Sequence, residues 1–185
     1  TKISAKLINE KIIVIDPKMQ NILTERGFGE SEKDNLILDP IETLYLLYNN
    51  KLELKKVNKT IIFDELIQKY IQKNDDTLIR FLLYRDLRTK GYAVKDGFGF
   101  GSDFRVYERG TYGLKDARYV IFVFNEGTQQ KIGKLYKNID EITKMGKEPI
   151  IAVIERRGEI IYYKINKMNF LENKPEFEMK NFNFN

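Results

Sequence analysis

The sequence predicts an α/β (α+β) protein with two domains. A small mixed domain occupies 1–74, and a larger one with a mixed sheet and flanking helices occupies 75–170, followed by a tail over 171–185. Three observations carry this. Short β-branched runs alternate with segments of helical period along the whole chain. A polar, apolar-free stretch, Lys73-Asn74-Asp75-Asp76, breaks the pattern and marks a boundary. The length of 185 residues suits one large or two small domains, and 42% hydrophobic with 12% aromatic residues is enough for real cores.

Ile12-Ile13-Val14-Ile15 is a β-branched run ended by Asp16-Pro17, so it reads as a strand. Asp39-Pro40-Ile41-Glu42 is a helix start: Asp39 can cap, Pro40 fits the first helical position and Glu42 completes a capping box. The helix carries Leu44, Tyr45, Leu47 and Tyr48 and stops at Asn49-Asn50. Leu52–Leu54 and Ile61–Phe63 are short strands, and Asp64 opens a helix with Leu66, Ile67 and Tyr70. In the second domain a helix over 76–90 ends at Gly91, a natural C-terminal stop. Strands follow over 92–95, 103–108 and 118–124. Ile132, Leu135, Tyr136, Ile139 and Ile142 repeat at helical spacing within 129–146. A strand over 149–155, a turn at Arg156-Arg157-Gly158-Glu159 and a return strand over 160–165 form a closing hairpin. The tail alternates Phe177, Phe182 and Phe184 with polar residues, which fits either a frayed end or aromatic anchors for another subunit.

Composition narrows the chemistry. The chain has no histidine and no cysteine. A disulfide framework, a thiolate metal site and a zinc centre are therefore not expected, and no cofactor is implied. No apolar run reaches membrane-spanning length, and Thr1-Lys2-Ile3-Ser4 carries no signal-peptide pattern, so a cytoplasmic protein without a membrane partner is expected. The net charge of +5 is compatible with nucleic acid, because phosphates attract lysine and arginine and release counterions on binding.

Gly99 to Gly110 (GFGSDFRVYERG) is the most unusual stretch. Glycines, alternating strand residues and Tyr107 between Arg105 and Arg109 could form a phosphate-facing edge; equally, Tyr107 reads as a half-buried strand tyrosine. A metal-dependent nuclease with Asp103 and Glu155 as ligands lacks the Glu-x-Lys that such a strand should carry.

At these residues the sequence resembles a known family. Tyr84-Arg85-Asp86-Leu87-Arg88-Thr89-Lys90-Gly91-Tyr92, then Val94-Lys95-x-Gly97, then Phe100-Gly101-x-Asp103-Phe104-Arg105-Val106-Tyr107 are similar to the archaeal tRNA-splicing endonucleases, or tRNA-intron lyases. Ile151–Ile154 and Gly158–Tyr163 resemble that family's closing hairpin, and Leu38–Leu47 a helix of its N-terminal domain. The strongest similarity covers 78–165. The resemblance implies a nuclease-like C-terminal domain, precursor tRNA as substrate, and metal-independent cleavage at exon–intron (bulge–helix–bulge) borders to 2′,3′-cyclic phosphate and 5′-hydroxyl ends. It also implies a tyrosine that takes the 2′-hydroxyl proton, a histidine that protonates the leaving 5′-oxygen and a lysine that stabilises phosphate charge.

Carried over residue by residue, Tyr107 stands at the tyrosine position and Lys147 at the lysine position, while Asp116 occupies the place of the histidine. No other register can supply a histidine, since the chain has none. An ordinary aspartate, with a pKa of about 3.9, is ionised at neutral pH and would need raising by roughly three pH units to act as an acid. A second departure is Asp140-Glu141 in the helix before Lys147, where the family carries an RNA-holding arginine. Asn125-Glu126-Gly127 matches the acidic loop that family members insert into an opposing subunit; it also reads as a plain polar turn. The expectation is a structural subunit of a heterotetramer, contacting a homologous catalytic subunit through Glu126 and through strand pairing by the hairpin residues Ile160, Ile161, Tyr162 and Tyr163. Two alternatives stand beside it: a catalytic chain using Tyr107 and Lys147 with Asp116, and a stand-alone RNA-binding protein on a relic nuclease fold.

Overall fold

The computed structural model describes residues 2–97, 99, 102–124, 138–169 and 175–184, with the side chains of 167–169 and 175–177 left aside. The chain divides into two compact units, Thr1–Arg85 and Asp86–Asn185.

The first unit is built on a six-stranded sheet, order β3-β4-β2-β1-β5-β6. Its strands are β1 (Ile3–Ile8), β2 (Lys11–Val14), β3 (Glu30–Glu32), β4 (Asn35–Leu38), β5 (Leu52–Lys56) and β6 (Lys59–Ile61). Helices α1 (Pro17–Glu25), α2 (Pro40–Tyr48) and α3 (Phe63–Lys73) accompany it. Only β1 and β5 run parallel; every other pairing is antiparallel. β1 alternates buried and exposed positions, the mark of a sheet with one face on a core.

The capping box expected at Asp39 is present. The Asp39 carboxylate accepts from the Ile41 amide at 2.8 Å, and Glu42 accepts from the Asp39 amide at 3.0 Å. Buried Glu42 also accepts from Gly29 N–H at 2.9 Å, so one carboxylate ties the helix start to a preceding turn. Gly29 has φ +72° and an added Cβ would lie 2.6 Å from Leu36, so only glycine fits there. Asp16-Pro17, expected to end a strand, does more: Asp16 caps α1, with Pro17 in its first turn.

Helix α4 (Thr77–Thr89) follows the polar break. The second unit carries a six-stranded sheet, order β12-β11-β10-β9-β8-β7. The strands are β7 (Ala93–Asp96), β8 (Phe104–Tyr107), β9 (Tyr119–Phe124), β10 (Glu148–Ile154), β11 (Ile160–Asn169) and β12 (Pro175–Phe182). β9 and β10 are parallel, and the other neighbours antiparallel. All six residues of β9 are buried, as expected for a central strand covered on both faces. Residues 138–144 are helical (α5) and lay Ile139 and Ile142 on Val120, Phe122, Phe124, Ile151 and Ile165.

The described part of the tail, 175–184, carries a strand and a buried aromatic. β12 pairs with β11 from Tyr162↔Phe182 to Asn169↔Pro175. Buried Phe184 meets the rings of Tyr92, Tyr119, Tyr162 and Phe182 at centroid distances of 5.1, 5.1, 4.7 and 5.0 Å. Phe182 and Phe184, two residues apart, both join this cluster of rings.

Candidate active-site positions

The topology of the second sheet gathers the three carried-over positions at one end. β8 finishes at Tyr107, whereas β9 and β10, parallel to each other and antiparallel to β8, begin at that same end. Backbone bonds join them. Arg118 N–H donates to the Val106 carbonyl at 3.0 Å, and Glu148 N–H donates to the Arg118 carbonyl at 2.8 Å. Tyr107 follows Val106, and Lys147 precedes Glu148, so both flank this ladder.

Tyr107 is half-buried, and its ring meets the edge of Tyr112 at 4.9 Å. Asp116 is exposed in the β8–β9 loop. The deep burial that an acid role would demand of a carboxyl is therefore missing. Lys147 is different. It is only 9% exposed, and its Nζ donates to the carbonyl of Ala117 at 2.7 Å. A lysine with its stem packed and its ammonium on a main-chain carbonyl pins the β8–β9 loop to the start of β10. Gly146, at φ +72°, makes the reversal that turns α5 into Lys147.

An ion-pair network crosses the same sheet end. Arg118 pairs with Glu108 and, at 3.3 Å, with Glu148, while Lys164 Nζ lies 3.3 Å from Glu148. The Glu108 carboxylate, and less strongly Glu148, holds the Arg118 guanidinium proton more tightly than usual. Arg118 and Lys164 therefore already face carboxylates of their own chain. Sequence reading missed this network because Glu108, Arg118, Glu148 and Lys164 are far apart in the chain and come together only through strand register.

The remaining expectations fare unevenly. Asp103 is buried and accepts the Val123 amide at 2.8 Å, which makes it a fastener between β8 and β9, and Glu155 is exposed. Among the described residues no group of three or more carboxylates could hold a metal ion. Glu126 lies outside the described residues. Ile160, Ile161 and Tyr163 are partly exposed, and Tyr163 packs with Val153 against the α5 cluster. Tyr162 is buried within this chain, at 4% exposed. β12 lies along the outer edge of β11 from Tyr162 to Asn169, beyond Ile160 and Ile161.

Tyr162 belongs to a cluster that the spacing of the sequence hid. Its hydroxyl donates to Asp86 Oδ2 at 2.6 Å, and Lys90 Nζ reaches the same oxygen at 2.9 Å while sitting 5.2 Å from the Tyr162 ring centre. Burial, helped by the Asp86 carboxylate, pushes the phenol far above its usual range. Asp86 and Lys90 both fall in the Tyr84–Tyr92 motif, so part of that motif serves to clamp β11. Tyr162→Phe is expected to cost about 1–2 kcal/mol in urea unfolding, since the ring stays packed and one charge-assisted bond is lost.

Comparison with known proteins agrees with this architecture. Residues 3–67 match the model of the tRNA intron endonuclease N-terminal domain, and residues 77–162 that of the tRNA intron endonuclease catalytic C-terminal domain. A tRNA-splicing endonuclease of Methanococcus maripaludis is 35% identical over 164 residues, covering 88% of this chain and 93% of that protein. The chain belongs to the tRNA intron endonuclease family. Within this family, the tRNA-splicing endonuclease of Thermococcus onnurineus is 31% identical over 152 residues, 82% of this chain and 88% of that one. That of Pyrococcus horikoshii is 27% identical over the same shares. The family match extends over the N-terminal unit, where the sequence alone offered only the Leu38–Leu47 segment. Among the described residues no helix is long and apolar enough to cross a membrane.

Proposed function

We propose that this chain is the structural subunit of a heterotetrameric tRNA-splicing endonuclease and works with a homologous catalytic subunit in the cytoplasm. One observation carries the reading: the chain has no histidine at all. Cleavage of a phosphodiester by the neighbouring 2′-hydroxyl needs a base at that hydroxyl and an acid at the departing 5′-oxygen. Without the acid, the leaving group must depart as an alkoxide, and losing a general acid typically slows a reaction by about 10²–10⁴-fold.

The local geometry supports the same reading. Lys147 is committed to the Ala117 carbonyl, Arg118 to Glu108 and Glu148, and Asp116 would set a negative charge beside the scissile phosphate. The catalytic subunit would supply the tyrosine, histidine and lysine that act on precursor tRNA and leave 2′,3′-cyclic phosphate and 5′-hydroxyl ends. This chain would contribute the half-exposed apolar face of β10 and β11, with Val153, Ile161 and Tyr163, and the Glu126 loop.

The test is direct. The purified chain alone should leave a bulge–helix–bulge RNA intact, and addition of a histidine-bearing homologous subunit should produce cutting. Efficient cleavage by this chain alone would overturn the proposal and favour the catalytic alternative.

A further inference from the structure

We infer that the β5–β6 hairpin of the N-terminal unit, with the cleft beside it, is an RNA-binding site for an unpaired nucleotide and its flanking phosphates. The inference rests on precursor tRNA being the substrate of the assembly, and places part of its grip on the first unit.

The hairpin segment Lys51-Leu52-Glu53-Leu54-Lys55-Lys56-Val57-Asn58-Lys59 holds four lysines, all exposed. Lys55 and Lys59 rest on half-exposed Glu53 and exposed Glu65 at 3.3 and 2.6 Å, weak surface pairs that a phosphate can displace. At the tip, Val57 is 88% exposed and has φ +55°, a conformation that a β-branched residue rarely adopts. An apolar, strained tip on a lysine-lined ribbon is costly in water and gains from a partner surface.

Beside the ribbon lies a cleft of about 370 Å³, where β6 leaves β5 to enter α3. Its lining includes Tyr48 and Phe63, with Asn50, Glu53, Thr60 and Asp64 supplying donors and acceptors, and Lys2 at its edge. Tyr48 is 48% exposed yet held in place: Phe63 and Phe81 meet its ring edge-on at 5.5 and 5.7 Å, and the Arg85 guanidinium lies 5.2 Å from its centre. A fixed aromatic with an open side, mixed polar groups around it and cations on the rim is the chemistry that recognises a splayed-out base. Glu53 and Asp64 inside the cleft exclude a bare phosphate there, so the base enters and the phosphates follow the ribbon.

The experiment measures affinity in the assembled endonuclease, using fluorescence anisotropy with a bulge–helix–bulge RNA and a short oligouridylate. Lys51→Gln, Lys55→Gln and Lys56→Gln together should weaken binding at least tenfold and lower the salt slope by about two, given roughly 0.7 per single-strand phosphate contact. Tyr48→Leu should weaken binding about tenfold with the salt slope unchanged, while Tyr48→Phe, which keeps the ring, should bind normally. Unchanged affinity in the lysine variant would overturn the inference. So would unchanged RNA affinity accompanied by aggregation, which would assign the lysines to guarding the β6 sheet edge, or by loss of subunit assembly, which would assign the face to a protein. Single-turnover cutting at saturating RNA is insensitive to affinity, so its outcome separates failure of this site from failure of the structural-subunit reading.

Discussion

Phe184→Ala is expected to destabilise the C-terminal unit by about 3–5 kcal/mol, the usual cost of truncating a buried phenylalanine. The ring is buried and touches four others, those of Tyr92, Tyr119, Tyr162 and Phe182. Tyr92 precedes β7, Tyr119 begins β9, Tyr162 lies in β11 and Phe182 ends β12, so one side chain joins three strands and the segment leading into β7. Edge-to-face packing adds to simple burial, about 0.5–1.5 kcal/mol per good pair. Urea unfolding followed by tyrosine fluorescence reads the loss as a lower midpoint with the slope retained. A midpoint within experimental scatter of the parent would mean that the tail does not hold the unit together.

The consequence reaches function. The sequence left the tail as either a frayed end or anchors for another subunit, and the structure turns Phe184 inward. Val153, Ile161 and Tyr163 of β10 and β11 are only partly buried.

Much of the fold was legible because local chemistry and tertiary context agree. Asp39-Pro40-Ile41-Glu42 predicted α2 with its capping box, and the β-branched runs predicted β2, β9 and β10. Helix α1 was missed because it buries only Leu23, which leaves no apolar period to read. β3 and β12 were missed for a related reason: an outer strand shows a weak pattern, and its place depends on a register set by distant residues. The candidate site divides in the same way. Tyr107 and Lys147 could be found from motif order, and the sheet does gather them at one end. The bond from Lys147 to the Ala117 carbonyl, the Arg118 network and the Tyr162–Asp86 clamp could not be found, since each joins residues at least ten apart.

The second large effect tests the proposed division of labour between this chain and a catalytic subunit. With Lys147 held by a carbonyl and no histidine in the chain, Tyr107 has no acid to work with. Its substitution should leave the chemistry of the assembly untouched. The most direct measurement is single-turnover cleavage of a bulge–helix–bulge RNA by the reconstituted complex, with Tyr107→Phe and Lys147→Met placed in this chain and, separately, the catalytic histidine of the partner replaced by alanine. The structural-subunit reading predicts rates within twofold of the parent for the variants of this chain and a fall of about 10²–10⁴-fold for the partner's histidine. A comparable fall on changing Tyr107 alone, with the complex intact, would contradict it.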